Sequence, residues 1–449
     1  MRVPEGLFKA YDVRGVYPKD LSDALARNIG KAFVTFVQKK LKSVPKVIVG
    51  YDMRISTPVL SQALIDGLVE SGAKVWDIGL VSTDTVSFAS GKYQACGIML
   101  TASHNPPDWN GIKFCLPGAV PINENTGLQD IKKTVEQEKF VTQDGGGVEK
   151  KDVLLKYVQH VQSFINTQAI RPMKVAIDAG NGMAGKLTSL VFKGLPLTII
   201  PLYFELDGTF PNHQPSPIEP ENVQDLIRKV RETKADFGMA FDGDADRIYF
   251  IDENGGRIHS SMIVAMIAES MLEKHRGASI IYNVSCSKIV QETIRTLGGQ
   301  AIRERVGHTF IKERMQKTGA IFAGEHSGHF YYIDNFRADS AFITALIVLE
   351  ILSQTGKKLS ELVRKYQKYY AIEETNSEVR DQDAVLVRLK EHFKDARLDT
   401  LDGITFEYPD FWFNVRGSNT EPKLRLNLEA DTPELRDAKT QEILALIRG

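Results

Sequence analysis

Cysteine is scarce in this chain: Cys96, Cys115 and Cys286 are the only three in 449 residues, and no two form a C-x-x-C pair. That excludes a disulfide framework and a cysteine-spaced zinc site, and a reducing compartment is expected. Excess charge of one sign is also missing. Lys and Arg number 56 against 57 Asp and Glu, so the polybasic footprint of a nucleic-acid binder is absent, although a local basic pocket stays compatible with the count. Long hydrophobic runs are lacking too. The greasiest stretch, residues 341–352, is interrupted by Thr344 and Glu350; it is too short to span a bilayer and is predicted to be a buried helix. Residues 1–15 carry no apolar segment of the signal-peptide kind, so no membrane association and a cytoplasmic location are expected.

What is present is ordinary globular composition, 43% hydrophobic and 25% charged, in a chain too long for one core; two to four domains are expected. A weak internal repeat organises it. Apolar, β-rich runs at 46–52, 174–180 and 279–283 are each followed by a helix-length stretch and a second run, at 74–78, 197–200 and 300–303. Third runs at 95–100, 236–241 and 319–323 then enter polar loops: Thr101-Ala-Ser-His-Asn-Pro106, Asp242-Gly-Asp-Ala-Asp-Arg247 and Gly324-Glu-His-Ser-Gly-His329. Apolar runs alternating with helices predict βαβ units in a mostly parallel sheet, with ligands beyond the carboxyl ends of the strands, where all three loops fall. The last part differs: runs at 411–415 and 423–429 flank Arg416-Gly-Ser-Asn-Thr-Glu-Pro422 as a hairpin-like pair, and a helix capped by Thr432 is predicted to about Ile447. Boundaries are expected near 143–150, whose three consecutive glycines suit a linker, near 251–255 and near 369–376.

The loops carry chemistry. Asp242, Asp244 and Asp246 alternate, and in an extended segment such side chains point the same way. Three converging carboxylates repel unless a cation sits among them, and hard oxygen ligands suit Mg²⁺ or Ca²⁺. An EF-hand is rejected, because Arg247 stands where its loop needs glycine and 247–252 reads as a strand. Ser103 is presented by the Asn105-Pro106 turn; no G-x-S-x-G elbow surrounds it. A phosphoserine there would bring close to two negative charges that an aspartate-bound cation could neutralise. Glu325 and Ser327 could take hydroxyls, and His329 could pass a proton near neutrality. Arg416 and its loop offer a guanidinium, hydroxyls and an amide suited to a phosphate dianion, or to nothing more than a polar hairpin.

Taken together, and in this order, the four loops resemble the α-D-phosphohexomutase superfamily, in its phosphomannomutase/phosphoglucomutase branch, from Tyr11-Asp-Val-Arg-Gly15 to Pro422. The resemblance implies an α/β chain of three similar mixed-sheet domains, 1–146, 147–251 and 252–369, and a C-terminal α+β domain, 370–449, around a central cleft. It implies that Ser103 is phosphorylated, with His104 beside it, and that Ser103, Asp242, Asp244 and Asp246 hold Mg²⁺. Glu325 and Ser327 would read sugar hydroxyls, while Arg416, Ser418, Asn419 and Thr420 grip the phosphate not being transferred. Arg14, Lys113, Arg247, His308 and His329 would line the cleft, Lys113 or His329 acting as acid or base.

The implied reaction moves a phosphoryl group between O1 and O6 of mannose or glucose through a hexose 1,6-bisphosphate. A phosphoserine-using phosphatase or bisphosphate synthase, and a non-catalytic sugar-phosphate binder, are the rivals. The implied partners are small sugar phosphates, for a monomer or a homo-oligomer. Some positions depart from the pattern: Ser285 stands where relatives often carry a basic residue, with Lys288 nearby to substitute. His326 sits where dual-specific relatives commonly have Met, and Asn419 favours the hexose branch over phosphoglucosamine mutases.

Overall fold

Three strands, Lys46–Tyr51, Met173–Asp178 and Ser279–Asn283, hold equivalent places in the computed structural model, which describes residues 1–417 and 423–449. Each is the centre of a parallel trio. Lys46–Tyr51 lies between Lys74–Leu80 and Cys96–Leu100, Met173–Asp178 between Leu197–Leu202 and Phe237–Phe241, and Ser279–Asn283 between Gln300–Glu304 and Phe322–Gly324. The repeat expected from sequence is therefore a repeat of topology. Its signal was readable because central parallel strands are covered on both faces and so become continuous apolar runs; Val47, Ile48, Val49, Val175, Ala176, Ile177, Ile280 and Ile281 are all fully buried.

The chain divides into two compact units, Met1–Ile258 with Ser327–Ser360, and His259–His326 with Glu361–Gly449. In the first, Trp109–Leu116 and then Val13–Val16 extend the first sheet antiparallel, and Ile248–Asp252 extends the second, so both sheets are mixed. In the second, Lys423–Ala430 pairs antiparallel with Phe411–Gly417, and the helix Pro433–Arg448 starts at a Thr432 cap, as expected. The helix Ala341–Thr355 is buried along most of its length. Among the described residues no helix is long and apolar enough to cross a membrane.

The boundary stretch 143–150 carries a strand that the sequence did not announce: Gly147–Lys150 is joined in parallel to Lys74–Leu80. All four of its residues are exposed, so it carries none of the apolar signal by which strands are read. Residue 319, expected to open a strand, instead closes the helix His308–Thr318. Gly319 takes φ 69 and bonds its N–H to the Met315 carbonyl, and the strand begins only at Phe322.

One buried carboxylate ties distant parts of the first unit together. Asp84 accepts hydrogen bonds from the hydroxyls of Ser82, Tyr157 (2.7 Å) and Ser340 (2.6 Å). Burial pushes its carboxyl up to about 6, against the pull of those three donors. Between about pH 4 and 6 the folded chain thus keeps a proton that the unfolded chain has released, so stability from this group is greatest in acid and falls as pH rises through that window. Asp84→Asn is expected to flatten the slope of unfolding free energy there, removing about 2–3 kcal/mol of pH dependence. Urea titrations with the same slope in both proteins would show that the proton is not held.

Candidate active site

The polar loops start where the parallel strands end. Beyond Cys96–Leu100, the Ser103 hydroxyl donates to Asp242 Oδ2 at 2.8 Å, joining residues 139 positions apart, and His104 Nδ1 lies 3.1 Å from Ser103 Oγ. Ser103 is buried and has φ 52, a left-handed backbone that costs a non-glycine residue roughly 1 kcal/mol or more. Thr101 Oγ1 steadies it by accepting the Ser103 N–H at 2.8 Å.

The three aspartates do converge: one carboxylate oxygen from each lies within 4.8 Å of the other two, and all three residues are buried. The route differs from the expected strand alternation. The strand stops at Phe241 and resumes at Ile248. Between them Ala245 takes φ 57 and bonds to the Asp242 carbonyl, while the N–H groups of Asp246 and Arg247 both donate to Asp242 Oδ1 at 3.1 Å. A tight turn, with Asp242 as its internal acceptor, gathers the carboxylates.

Cations balance them. Lys113 Nζ is 2.8 Å from Oδ2 of both Asp244 and Asp246, and Arg247 Nε is 3.6 Å from Asp242 Oδ2. Burial, with Asp246 and Asp244 as neighbours, pushes the Asp242 carboxyl well up. Burial opposes ionisation of Asp244 as well, but Lys113 outweighs it and holds that carboxyl low. Burial would likewise lower Lys113, and Asp244 and Asp246 more than reverse it, so the lysine keeps its proton. Asp244 Oδ1 and Asp246 Oδ1 are buried with no hydrogen-bond partner. Such orphaned carboxylate oxygens, clustered in one turn, fit a hard divalent cation.

Around this cluster Arg14 donates to Asp12 Oδ2 at 2.5 Å and to Asn105 Oδ1 at 2.7 Å. Arg247 Nε donates to His329 Nε2 at 3.0 Å, and His329 Nδ1 lies 2.9 Å from Asp339 Oδ2. With Nε2 accepting, the ring proton belongs on Nδ1, facing Asp339. Burial, then the charges of Arg247 and Arg14, push His104 well down, which leaves it neutral. Ser103, His104, Arg14, Lys113, the aspartates, Arg247 and His329 thus form one cluster, with Ser327 in the same unit, two residues before His329.

The remaining candidates belong to the second unit. Glu325 is buried and accepts from Asn283 Nδ2 and the Gly307 N–H, both at 3.2 Å. His308 is the first residue of the helix that Gly307 precedes. His326 stacks on His259, ring centroids 4.5 Å apart. Arg416 is committed to a partner that the sequence did not suggest: its Nη2 donates to Glu374 Oε2 at 2.8 Å, with Arg425 and Asn427 on the same carboxylate. Burial works against the Glu374 charge, yet Arg416 and Arg425 bring its carboxyl down to about 2. Ser418, Asn419 and Thr420 lie outside the described residues.

Sequence reasoning passed over Asp12, Arg54, Thr83 and Asp339. Asp12 and Arg54 had a signal, since Asp12-Val-Arg14 and Asp52-Met-Arg54 share one spacing beside strands. Thr83 had none: its hydroxyl donates to Asp244 Oδ2 at 2.6 Å across 161 residues.

Comparison with known proteins gives a consistent result. Sequence models of phosphoglucomutase/phosphomannomutase match in four consecutive parts: alpha/beta/alpha domain I at residues 5–142, domain II at 155–256, domain III at 259–369, and the C-terminal domain at 374–446. A phosphomannomutase of Escherichia coli is 39% identical over 98% of this chain and 99% of its own length. A phosphomannomutase/phosphoglucomutase of Pseudomonas aeruginosa is 37% identical over 96% of this chain and 93% of its own. The crystal structure of a phosphoglucomutase/phosphomannomutase family protein from Burkholderia thailandensis superposes with a TM-score of 0.89 at 34% identity, covering 99% of this chain and 97% of that one.

Proposed function

The chain belongs to the phosphoglucomutase/phosphomannomutase family, and from that membership we propose that it is a hexose-phosphate mutase, an isomerase interconverting the 6- and 1-phosphates of mannose and of glucose. The observation that carries this reading is the Ser103 hydroxyl bonded to Asp242. It sets a nucleophilic oxygen against a carboxylate cluster with unfilled ligand positions.

In this mechanism phospho-Ser103 donates first. Its Oγ–P bond breaks as a sugar hydroxyl oxygen bonds to phosphorus, giving the 1,6-bisphosphate. That bisphosphate turns end for end and returns its other phosphoryl group to Ser103. Bound by Asp242, Asp244, Asp246 and a phosphoryl oxygen on Ser103, Mg²⁺ would supply positive charge to the transferring group. Arg14, Lys113 and Arg247 contribute fixed positive charge of their own. His329, its Nδ1 facing Asp339, is assigned to take the proton of the attacking hydroxyl at Nε2, once Arg247 Nε turns from that nitrogen to the transferring group; Lys113 is held as a cation and suits charge neutralisation better. Glu325, Ser327 and His308 are assigned to sugar hydroxyls. Arg416 is assigned to the distal phosphate with Ser418, Asn419 and Thr420, its guanidinium oriented by Glu374. Three free cysteines accord with a cytoplasmic setting.

The test supplies mannose 1-phosphate and glucose 1-phosphate separately, with Mg²⁺ and catalytic glucose 1,6-bisphosphate. The 6-phosphates are expected, without stoichiometric inorganic phosphate or net bisphosphate. Phosphate release matching substrate loss would replace the mutase by a phosphatase. A second expectation concerns the metal ligands: Thr83→Val, which removes one donor on Asp244 Oδ2 and leaves Lys113 as the other, should weaken divalent-cation affinity about tenfold. Calorimetric titration of the unphosphorylated protein reads this directly, and an unchanged affinity would release Thr83 from any such part.

A further inference from the structure

We propose that Arg54 is a positioning residue for Ser103: its guanidinium fixes the backbone of the serine loop in the geometry from which phosphoryl transfer occurs. The inference rests on the mutase reading and deepens it. Arg54 follows the strand Lys46–Tyr51 and is buried. Its Nη1 donates to the carbonyls of Pro106 at 2.6 Å and Trp109 at 2.9 Å; its Nη2 donates to those of Ser103 at 3.0 Å and Asn105 at 2.6 Å. The two Nη groups carry four hydrogens, and the segment 103–109 presents a carbonyl to each. Asp52 supplies the counter-charge, 3.3 Å from Nε, and is itself fixed by the Arg54 N–H and the Thr57 hydroxyl. Phe210 covers the guanidinium, its ring centroid 5.1 Å from Cζ.

The loop has reason to need such a clamp. Ser103 holds a left-handed backbone that L residues seldom adopt. Phosphorylation would add close to two negative charges opposite three aspartates, which pushes the loop away from the position it must keep. A carbonyl drawn inward by Arg54 holds the serine while its Oγ faces Asp242. Charge alone does not do this: a lysine has three donors on a flexible stem and no planar fork.

The experiment compares full-length wild type, Arg54→Lys and Arg54→Met, each treated with glucose 1,6-bisphosphate and Mg²⁺. Intact mass reads the phosphoryl group on Ser103, thermal unfolding reads the fold, and steady-state rates give kcat and KM. Arg54→Lys keeps the charge and loses the fork; its kcat is expected to fall on the order of 10²-fold with KM within about twofold of wild type. Its phospho-Ser103 level at equal bisphosphate should fall as well, and Arg54→Met should lose at least as much. A folded Arg54→Lys with wild-type kcat would overturn the inference, as would a loss carried by KM alone. Failure of both variants to fold would also overturn it, the residue then serving folding only. A wild-type chain that takes no phosphoryl group on Ser103 would sink the mutase reading first. A labelled wild type with unaffected variants would sink the inference alone.

Discussion

Ser103→Ala is expected to lower isomerisation of mannose 1-phosphate by at least about 10⁴-fold, because it deletes the atom that carries the phosphoryl group between the two half-reactions. The fold should survive. Alanine has the same left-handed backbone strain as serine, and the lost contacts are those of the hydroxyl with Asp242 and His104, a change of about 1 kcal/mol each. The asymmetry between rate and stability is what separates a donor from a structural serine. Intact mass after incubation with glucose 1,6-bisphosphate should show one added phosphoryl group in wild type and none in the variant. Turnover within tenfold of wild type, or full labelling of Ser103→Ala, would move the donor elsewhere in the chain.

The part of this molecule legible in its sequence was the part governed by local order. The strands Lys46–Tyr51, Met173–Asp178 and Ser279–Asn283 were readable because burial on both faces leaves no room for polar side chains, and the helix Pro433–Arg448 because Thr432 caps it. The acidic loop was readable as chemistry, since dense carboxylates are rare without a use; the serine loop was not, because turn serines are common, and it gained its meaning only from the resemblance that joins the four loops. What sequence could not supply was whatever depends on a meeting of distant residues. The strand Gly147–Lys150 has no buried face to shape its composition. The aspartates converge through a turn whose left-handed residue is an alanine, a residue with no preference for that conformation. Arg54 shares the Asp-x-Arg spacing of Asp12-Val-Arg14, but nothing in that spacing tells what it holds until its four carbonyl partners, 49 to 55 residues away, are in view. Glu374, likewise, gains its meaning only once Arg416 and Arg425 flank it.

The second large effect is expected at Gly243, between two of the aspartates. A methyl group there would overlap the Ser103 carbonyl oxygen, with Pro215 close on the side. The backbone of Gly243 is not in the left-handed region, so alanine adds no conformational strain, and the substitution isolates the close approach of the two loops. Neither loop yields easily: Ser103 O is held by Arg54 Nη2, and the Gly243 carbonyl accepts the Met183 N–H at 2.9 Å. The overlap must therefore be relieved by separating Ser103 from Asp242 and Asp244, the groups that have to act together. A misplacement of about 1 Å costs on the order of 10²-fold in rate; Gly243→Ala is expected to lose that much in kcat, and to take up a phosphoryl group from glucose 1,6-bisphosphate correspondingly slowly, while unfolding at a temperature near that of wild type. If Gly243→Ala turns over like wild type, the serine and the aspartates do not need the contact in which the structure holds them.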